Sequence, residues 1–301
     1  MKYSAPAFLA VSIAIIATAH LAQADDAKSY LIKLNRPVKV GDKSHETFKL
    51  EAVKQQRVSS GEKVMSDKKE EIKAELTGVG EVLALTPNGR IQKLTFKLEK
   101  FVFQNDQEAP QEPFKAGATI SGELDPSGKA VYTSADGELT KASLSVLAKL
   151  LELKPDKKVE SDDEIFGTLA PRAVGTEWKV NAADALKTMP DDMPFKVAEK
   201  DFTGVVKFPA LKQVGGKDHC IVQAIMTITP KEMDLKGLKL NSMVIRAEMT
   251  KDVPVDTKAV TPYSRMKFSS TVDAGGDTLN GPVHLEITAS ETKTNESKKI
   301  E

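Results

Sequence analysis

Apolar and polar residues alternate along most of this chain. In Glu71-Ile72-Lys73-Ala74-Glu75-Leu76 the apolar side chains fall on one face and the charges on the other. Successive side chains of a strand point to opposite faces, so this period of two predicts half-buried β-strands. Residues 81–86 and 91–103 are further β-rich runs, joined by Pro87-Asn88-Gly89-Arg90. Asn-Gly tolerates the positive φ of a tight turn, which predicts a hairpin. A second hairpin is predicted for residues 119–124 and 129–134 around Asp125-Pro126-Ser127-Gly128. Between the two, residues 105–116 carry two prolines and read as a loop. In the second half, residues 176–181, 218–229, 241–249, 263–273 and 282–289 are strand-like. Residues 187–194 read as a loop, Ala274-Gly275-Gly276-Asp277 as a turn, and the polar stretch from Thr292 as a frayed tail.

One stretch has a different period. Residues 140–153 place Leu144, Leu147, Ala148 and Leu151 three and four apart, the stripe of an amphipathic helix. It should pack on a sheet or plug an open end. Residues 154–164 are strongly charged, contain Pro155 and read as a surface linker, with Asp162-Asp163-Glu164 in solvent.

The expected fold is therefore mainly β. It is one or more curved antiparallel sheets in two similar halves, half-barrel or sandwich-like, with one principal helix near 140–153. The halves span 25–165 and 166–292, followed by a polar tail at 293–301. A weak internal repeat supports the division. Pro37-Val38-Lys39-Val40-Gly41 and Pro171-Arg172-Ala173-Val174-Gly175 both lead into strands. Duplication and chance turn chemistry both account for it.

The first 24 residues change the expected compartment. Lys2 precedes an apolar run from Ala7 to Ala17, and Ala22-Gln23-Ala24 is a small-x-small cleavage pattern. That is the plan of a secretory signal peptide, cut after Ala24. The apolar run is shorter than the about 20 residues a membrane-spanning helix needs. Asp25, not Cys, follows the cut, so attachment of lipid there is unavailable. The expected location is periplasmic or extracellular, without a stable transmembrane anchor.

Composition narrows the partners. Lys+Arg and Asp+Glu are 43 each, so no global field draws the chain to nucleic acid. Aromatic residues are 5%, a scarcity that lowers, without excluding, a sugar- or single-strand-binding face, since those use aromatic stacking platforms. Cys220 is the single cysteine, so no intramolecular disulfide can form.

Two turn motifs carry a resemblance. Pro171–Trp178 resembles the Pro-x-x-Val-Gly-Asp-x-Trp lead-in of a loose group of secreted bacterial β-rich proteins, with Thr176 where Asp is usual. Asp125-Pro126-Ser127-Gly128-Lys129 matches their Asp-Pro-x-Gly-Lys strand end. The resemblance covers residues 125–180. It implies an architecture similar to bacterial lipoprotein carriers, in which a curved antiparallel sheet half-wraps a helix. Both motifs mark turns, so they imply no catalytic residues.

Known chemistries find little footing. His45-Glu46 lacks the second His of a zinc-protease helix. Asp218-His219-Cys220 would alternate faces in a strand and so reads as structural. His284 reads as solvent-facing. Ser66-Asp67-Lys68-Lys69 matches Ser-x-x-Lys but lacks the companion motifs. Phosphate-binding glycine loops are absent from the sequence. Asp191-Asp192 is an acidic pair whose spacing in space the sequence cannot supply. Asp273 and Asp277 offer oxygens for calcium without a recognised loop spacing, and an ordinary turn is the plainer reading. Asn295-Glu296-Ser297 is a glycosylation sequon, relevant only in a eukaryotic secretory pathway. No catalytic, metal or cofactor residues are assigned.

What stands out is methionine. Met189, Met193, Met226, Met233, Met243, Met249 and Met266 all lie in the second half. Methionine is flexible and polarisable and suits either irregular cores or adaptable apolar surfaces. Met226, Met243, Met249, Met266 and Phe268, with Leu147 and Leu151 of the helix, are the candidate lining of an apolar site. The functional expectation is a non-enzymatic exported β protein that binds an apolar small molecule, a lipid or an envelope protein. A structural or adhesive surface protein is the alternative, and an extracytoplasmic hydrolase a further one.

Overall fold

A computed structural model describes residues 28–153, 161–189, 193–235, 237–278 and 281–300. The expected leader, most of the 154–164 linker and the Asp191-Asp192 pair lie outside them.

After β1 (Ser29–Tyr30) the chain forms β2 (Lys43–Ser60), β3 (Lys63–Leu85), β4 (Ile91–Asn105), β5 (Thr119–Leu124) and β6 (Ala130–Ser134). The helices α1 (Lys141–Leu150) and α2 (Asp162–Ile165) follow. Next come β7 (Arg172–Ala173), β8 (Glu177–Lys179), α3 (Ala182–Lys187), β9 (Phe195–Lys196) and β10 (Phe202–Val214). The chain ends with β11 (Lys217–Ile228), β12 (Glu232–Met233), β13 (Lys239–Pro254), β14 (Tyr263–Thr278) and β15 (Gly281–Ile300).

Eleven strands share one antiparallel sheet in the order β6-β5-β4-β3-β2-β15-β14-β13-β11-β10-β8. The path starts at the middle of the sheet and runs outward to β6. It then crosses to the opposite edge at β8 and returns inward until β15 meets β2. The sheet is not closed, since β6 and β8 are its two edges.

Both predicted hairpins form where the turn chemistry put them. Gly89 has φ 75° between β3 and β4, and Gly128 has φ 82° between β5 and β6. Asp125 fixes the second turn by accepting the N–H groups of Ser127 at 2.8 Å and Lys129 at 2.9 Å. The helical stripe becomes α1, and Thr140 caps it by accepting the Ser143 N–H.

The two Val-Gly lead-ins share one local geometry. Gly41 and Gly175 have φ 88° and 84°, the left-handed region that favours glycine. Gly41 donates its N–H to Val82 O at 2.8 Å, and Val82 donates to Asp42 O at 3.0 Å. Gly175 donates to Phe208 O at 2.7 Å, and Phe208 donates to Thr176 O at 3.0 Å.

Two apolar cores lie on the sheet. In the first, Val146, Leu147 and Leu150 of α1 pack on Phe48, Leu50, Leu76, Phe96, Phe101 and Ile120. In the second, Ile32, Leu34 and Phe166 pack on Val206, Phe208, Cys220, Val222 and Val253. Each fully buried Leu, Ile or Phe contributes about 1.5–3 kcal/mol relative to exposure. Tyr132 seals the first core, donating its hydroxyl to the Leu151 carbonyl at 2.5 Å.

Several expectations are corrected. Residues 292–300 do not fray. They form the C-terminal part of β15, paired with β2 on one side, and with β14 on the other as far as Glu296. Their polar sequence concealed this because ladder bonds come from the backbone and need no apolar side chain. Ala274-Gly275-Gly276-Asp277 is not a turn but part of β14, which stays paired to Thr278. Asp162-Asp163-Glu164 is not a solvated linker. Ser161 and Glu164 form a reciprocal capping box, and Asp163 is buried. The short helix α3 went unpredicted because six residues carry too little periodicity to read.

Candidate functional site

The largest cavity, about 460 Å³, lies on the inward face of the middle strands, between the two cores. Strand register builds its floor. Phe268, Glu291, Ala52 and Ile72 are successive cross-strand partners on β14, β15, β2 and β3. Ile245, Ser270, Ala289, Lys54 and Glu70 form the next row, starting on β13. Met243 lies beyond them, while Lys149 of α1 and Phe195 of β9 complete the lining.

The surface is an apolar trough with charges at its edges. Phe268 keeps 44% of its surface exposed, unusual for an aromatic ring on a concave face. Lys149 is held by Glu291 at 2.5 Å. Lys54, which also lines the trough, has no ion-pair partner among the described residues.

The candidate lining residues divide into three groups. Met243 and Phe268 line this cavity. Met249 is 2% exposed in the second core, and Met226 and Met266 pack against that core. Leu147 and Leu151 belong to the first core. The interior beneath Val146 and Leu147 is filled with side chains, while open space lies between the cores and beside the C-terminal end of the helix, where Leu151 also lines a cavity. Ala52, Ile72, Ile245 and Ala289 were missed as lining residues. Their strands were readable, but only the register brings them side by side.

A second cavity, about 280 Å³, lies beside the C-terminal end of α1. Phe48, Val82, Ile91, Leu94, Phe96, Leu150 and Leu151 form its apolar walls, and Ser44, Glu46, Ser264 and Asn295 add polar groups. Glu46 accepts the Ser44 hydroxyl at 2.6 Å. Burial pushes its carboxyl above the usual carboxylate range. Lys293, also in this lining, donates to the Lys149 carbonyl at 2.7 Å and pairs with Glu152 at 3.2 Å. A cation at the last carbonyls of α1 is favourable there.

The histidines separate. His284 lies 2.9 Å from Asp273, and both are partly exposed. With Glu286, their ligating atoms lie within 4.8 Å of one another on the outer face. Bonds from Asn241 and His284 hold the Asp273 carboxyl below its usual range. His219 and Cys220 are both buried in β11, and burial pushes the thiol up to about 11. That thiol is not a ready nucleophile, because the thiolate is the reactive form.

Among the described residues, no helix is long and apolar enough to cross a membrane. No protein family and no curated protein matches this chain. Among solved structures, an outer membrane channel from Pseudomonas putida F1 aligns over 87% of this chain and 97% of its own. The identity is 9% and the TM-score 0.21, too low for the likeness to show a shared fold. The chain carries both cavities on an eleven-stranded antiparallel β sheet.

Proposed function

We propose that this is an exported, non-enzymatic binding protein whose trough holds an apolar chain ending in an anionic group. One observation carries this reading: the roughly 460 Å³ cavity has an apolar floor of Ile72, Met243, Ile245, Phe268 and Ala289, with the unpaired Lys54 at its edge. Pockets of this size, mostly apolar with few polar groups, suit small molecules. An aliphatic tail would displace water from Phe268, and Lys54 would meet its carboxylate.

The test is displacement of an apolar naphthalene-sulfonate dye by lauric acid, with dodecanol as the uncharged control. Lauric acid should displace the dye from the wild type, and Phe268→Asp should weaken dye binding at least tenfold. Lys54→Glu should weaken lauric acid selectively over dodecanol. If the dye does not bind, or Phe268→Asp binds it unchanged, the reading fails.

A further inference from the structure

The smaller cavity carries an inference of its own. Glu46 lies at the inward face of β2. Its direct partner on β3 is Gly78, which has no side chain, and its partner on β15 is Ser297. One step along the same face, Asn295 stands opposite Phe48. The Asn295 Oδ1 and the Ser297 hydroxyl are both fully buried and have no hydrogen-bond partner among the described residues. Leaving such groups unpaired costs about 1–3 kcal/mol each. Glu46 also has no ion-pair partner among the described residues.

The other charges lining this cavity are committed. Lys293 is bound to Glu152 and the Lys149 carbonyl. Glu81 is paired with Lys43 at 3.1 Å. Of the uncompensated groups, the Glu46 carboxylate and Asn295 line the cavity, and both can accept hydrogen bonds. The remaining walls are apolar, from Phe48 and Phe96 to Leu150. A metal ion would leave most of about 280 Å³ empty.

We propose that this cavity is a binding site for a small organic ammonium ion with an apolar body. The ammonium group sits between Glu46 and Asn295, and the body lies against Phe96 and Leu94. A primary ammonium offers three donors, which the Glu46 carboxylate oxygens and Asn295 Oδ1 can accept. A partly buried carboxylate without an ion-pair partner is costly, so the cation supplies what the fold leaves out.

The experiment is titration of the whole protein with 2-phenylethylamine, 2-phenylethanol and phenylacetate at one pH near neutrality, followed by ligand-observed NMR. The amine should bind at least tenfold more tightly than the alcohol, and phenylacetate should bind most weakly. Glu46→Gln should reduce the amine to the alcohol's affinity. Equal binding of all three ligands, no binding of the amine, or unchanged amine affinity in Glu46→Gln overturns the proposal. Displacement of the amine by sodium or potassium chloride at equal ionic strength would assign the site to an inorganic cation and also overturn it. If Glu46→Gln does not fold, Gly80→Val replaces it. A Cβ at Gly80 makes only ordinary contact with Phe96, at 3.4 Å, and its side chain would fill the cavity. That variant should abolish amine binding, and retained binding counts against the site. Phe268→Asp should leave the amine unaffected, so this proposal and the trough reading fail independently.

Discussion

The carboxylate of Asp163 accepts the backbone N–H of Leu34 at 2.7 Å, linking residues 129 positions apart. The same carboxylate accepts the Thr168 hydroxyl at 2.9 Å and pairs with Lys33 at 3.2 Å. Asp163 is thus the hinge pin that fastens the N-terminal segment, with Ile32 and Leu34, over the second core. Replacing it by Ala leaves a buried N–H and hydroxyl without partners. We expect Asp163→Ala to cost about 3 kcal/mol. Urea unfolding checks this. A loss below about 1 kcal/mol would mean that the segment is held by packing alone.

Alkaline pH should weaken the fold in a defined order. Burial pushes the Cys220 thiol up to about 11 and the Tyr132 phenol up to about 12. Ordinary values apply once the chain unfolds, near 8.5 for Cys and 10 for Tyr. Between the unfolded and folded values, unfolding releases a proton, so stability falls as pH rises. The thiol contributes to this loss first, up to about pH 11. The phenol follows, up to about pH 12. Tyr132→Phe should lose about 1 kcal/mol at neutral pH with its hydrogen bond. It should also show a shallower decline above pH 10. Melting temperatures from pH 8 to 12 would reveal parallel curves if the phenol contributes nothing.

Leu147 and Phe268 should respond oppositely to truncation. Leu147 is 0% exposed inside the first core, so Leu147→Ala should cost about 3 kcal/mol through lost burial and a residual cavity. Phe268 is 44% exposed, so Phe268→Ala should change stability by less than about 1 kcal/mol. The second variant, and not the first, should impair dye binding. Paired denaturation and dye titrations separate the two roles.

Ending the chain after Glu291 should be destructive rather than neutral. The cut removes the ladder from Thr292↔Glu51 to Ile300↔Lys43, and with it Lys293, which holds the end of α1. We expect loss of cooperative thermal unfolding and rapid proteolysis of the exposed β2 edge. A truncated protein that melts like the full chain would contradict the central placement of β15.

The legible part of this fold was local. Alternation at Glu71–Leu76 declared a strand because one face of that strand meets a core. Asn88-Gly89 declared a turn because few residues accept its backbone angles. Leu144, Leu147 and Leu151 declared a helix by spacing alone. Asp163 could not be read this way, since its burial depends on Leu34 arriving from far away in the chain. Met249 and Met243 look equivalent in sequence, yet one is core and the other lines the trough. Which of them meets a core depends on what lies across the sheet.

By itself, then, the sequence determined the antiparallel strands, the two hairpin turns, the α1 stripe and a single cysteine with no partner. These follow from residue-level preferences acting over a few positions. Only the tertiary structure decided that β15 pairs with β2, that side chains fill the space beneath Val146 and Leu147, and that open space lies between the cores and beside the end of α1. It also decided that Glu46, Asn295 and Ser297 share one face. Backbone pairing between residues some 250 positions apart, such as His45 with Lys298, leaves no trace in side-chain periodicity. The register of that pairing set the position of both cavities.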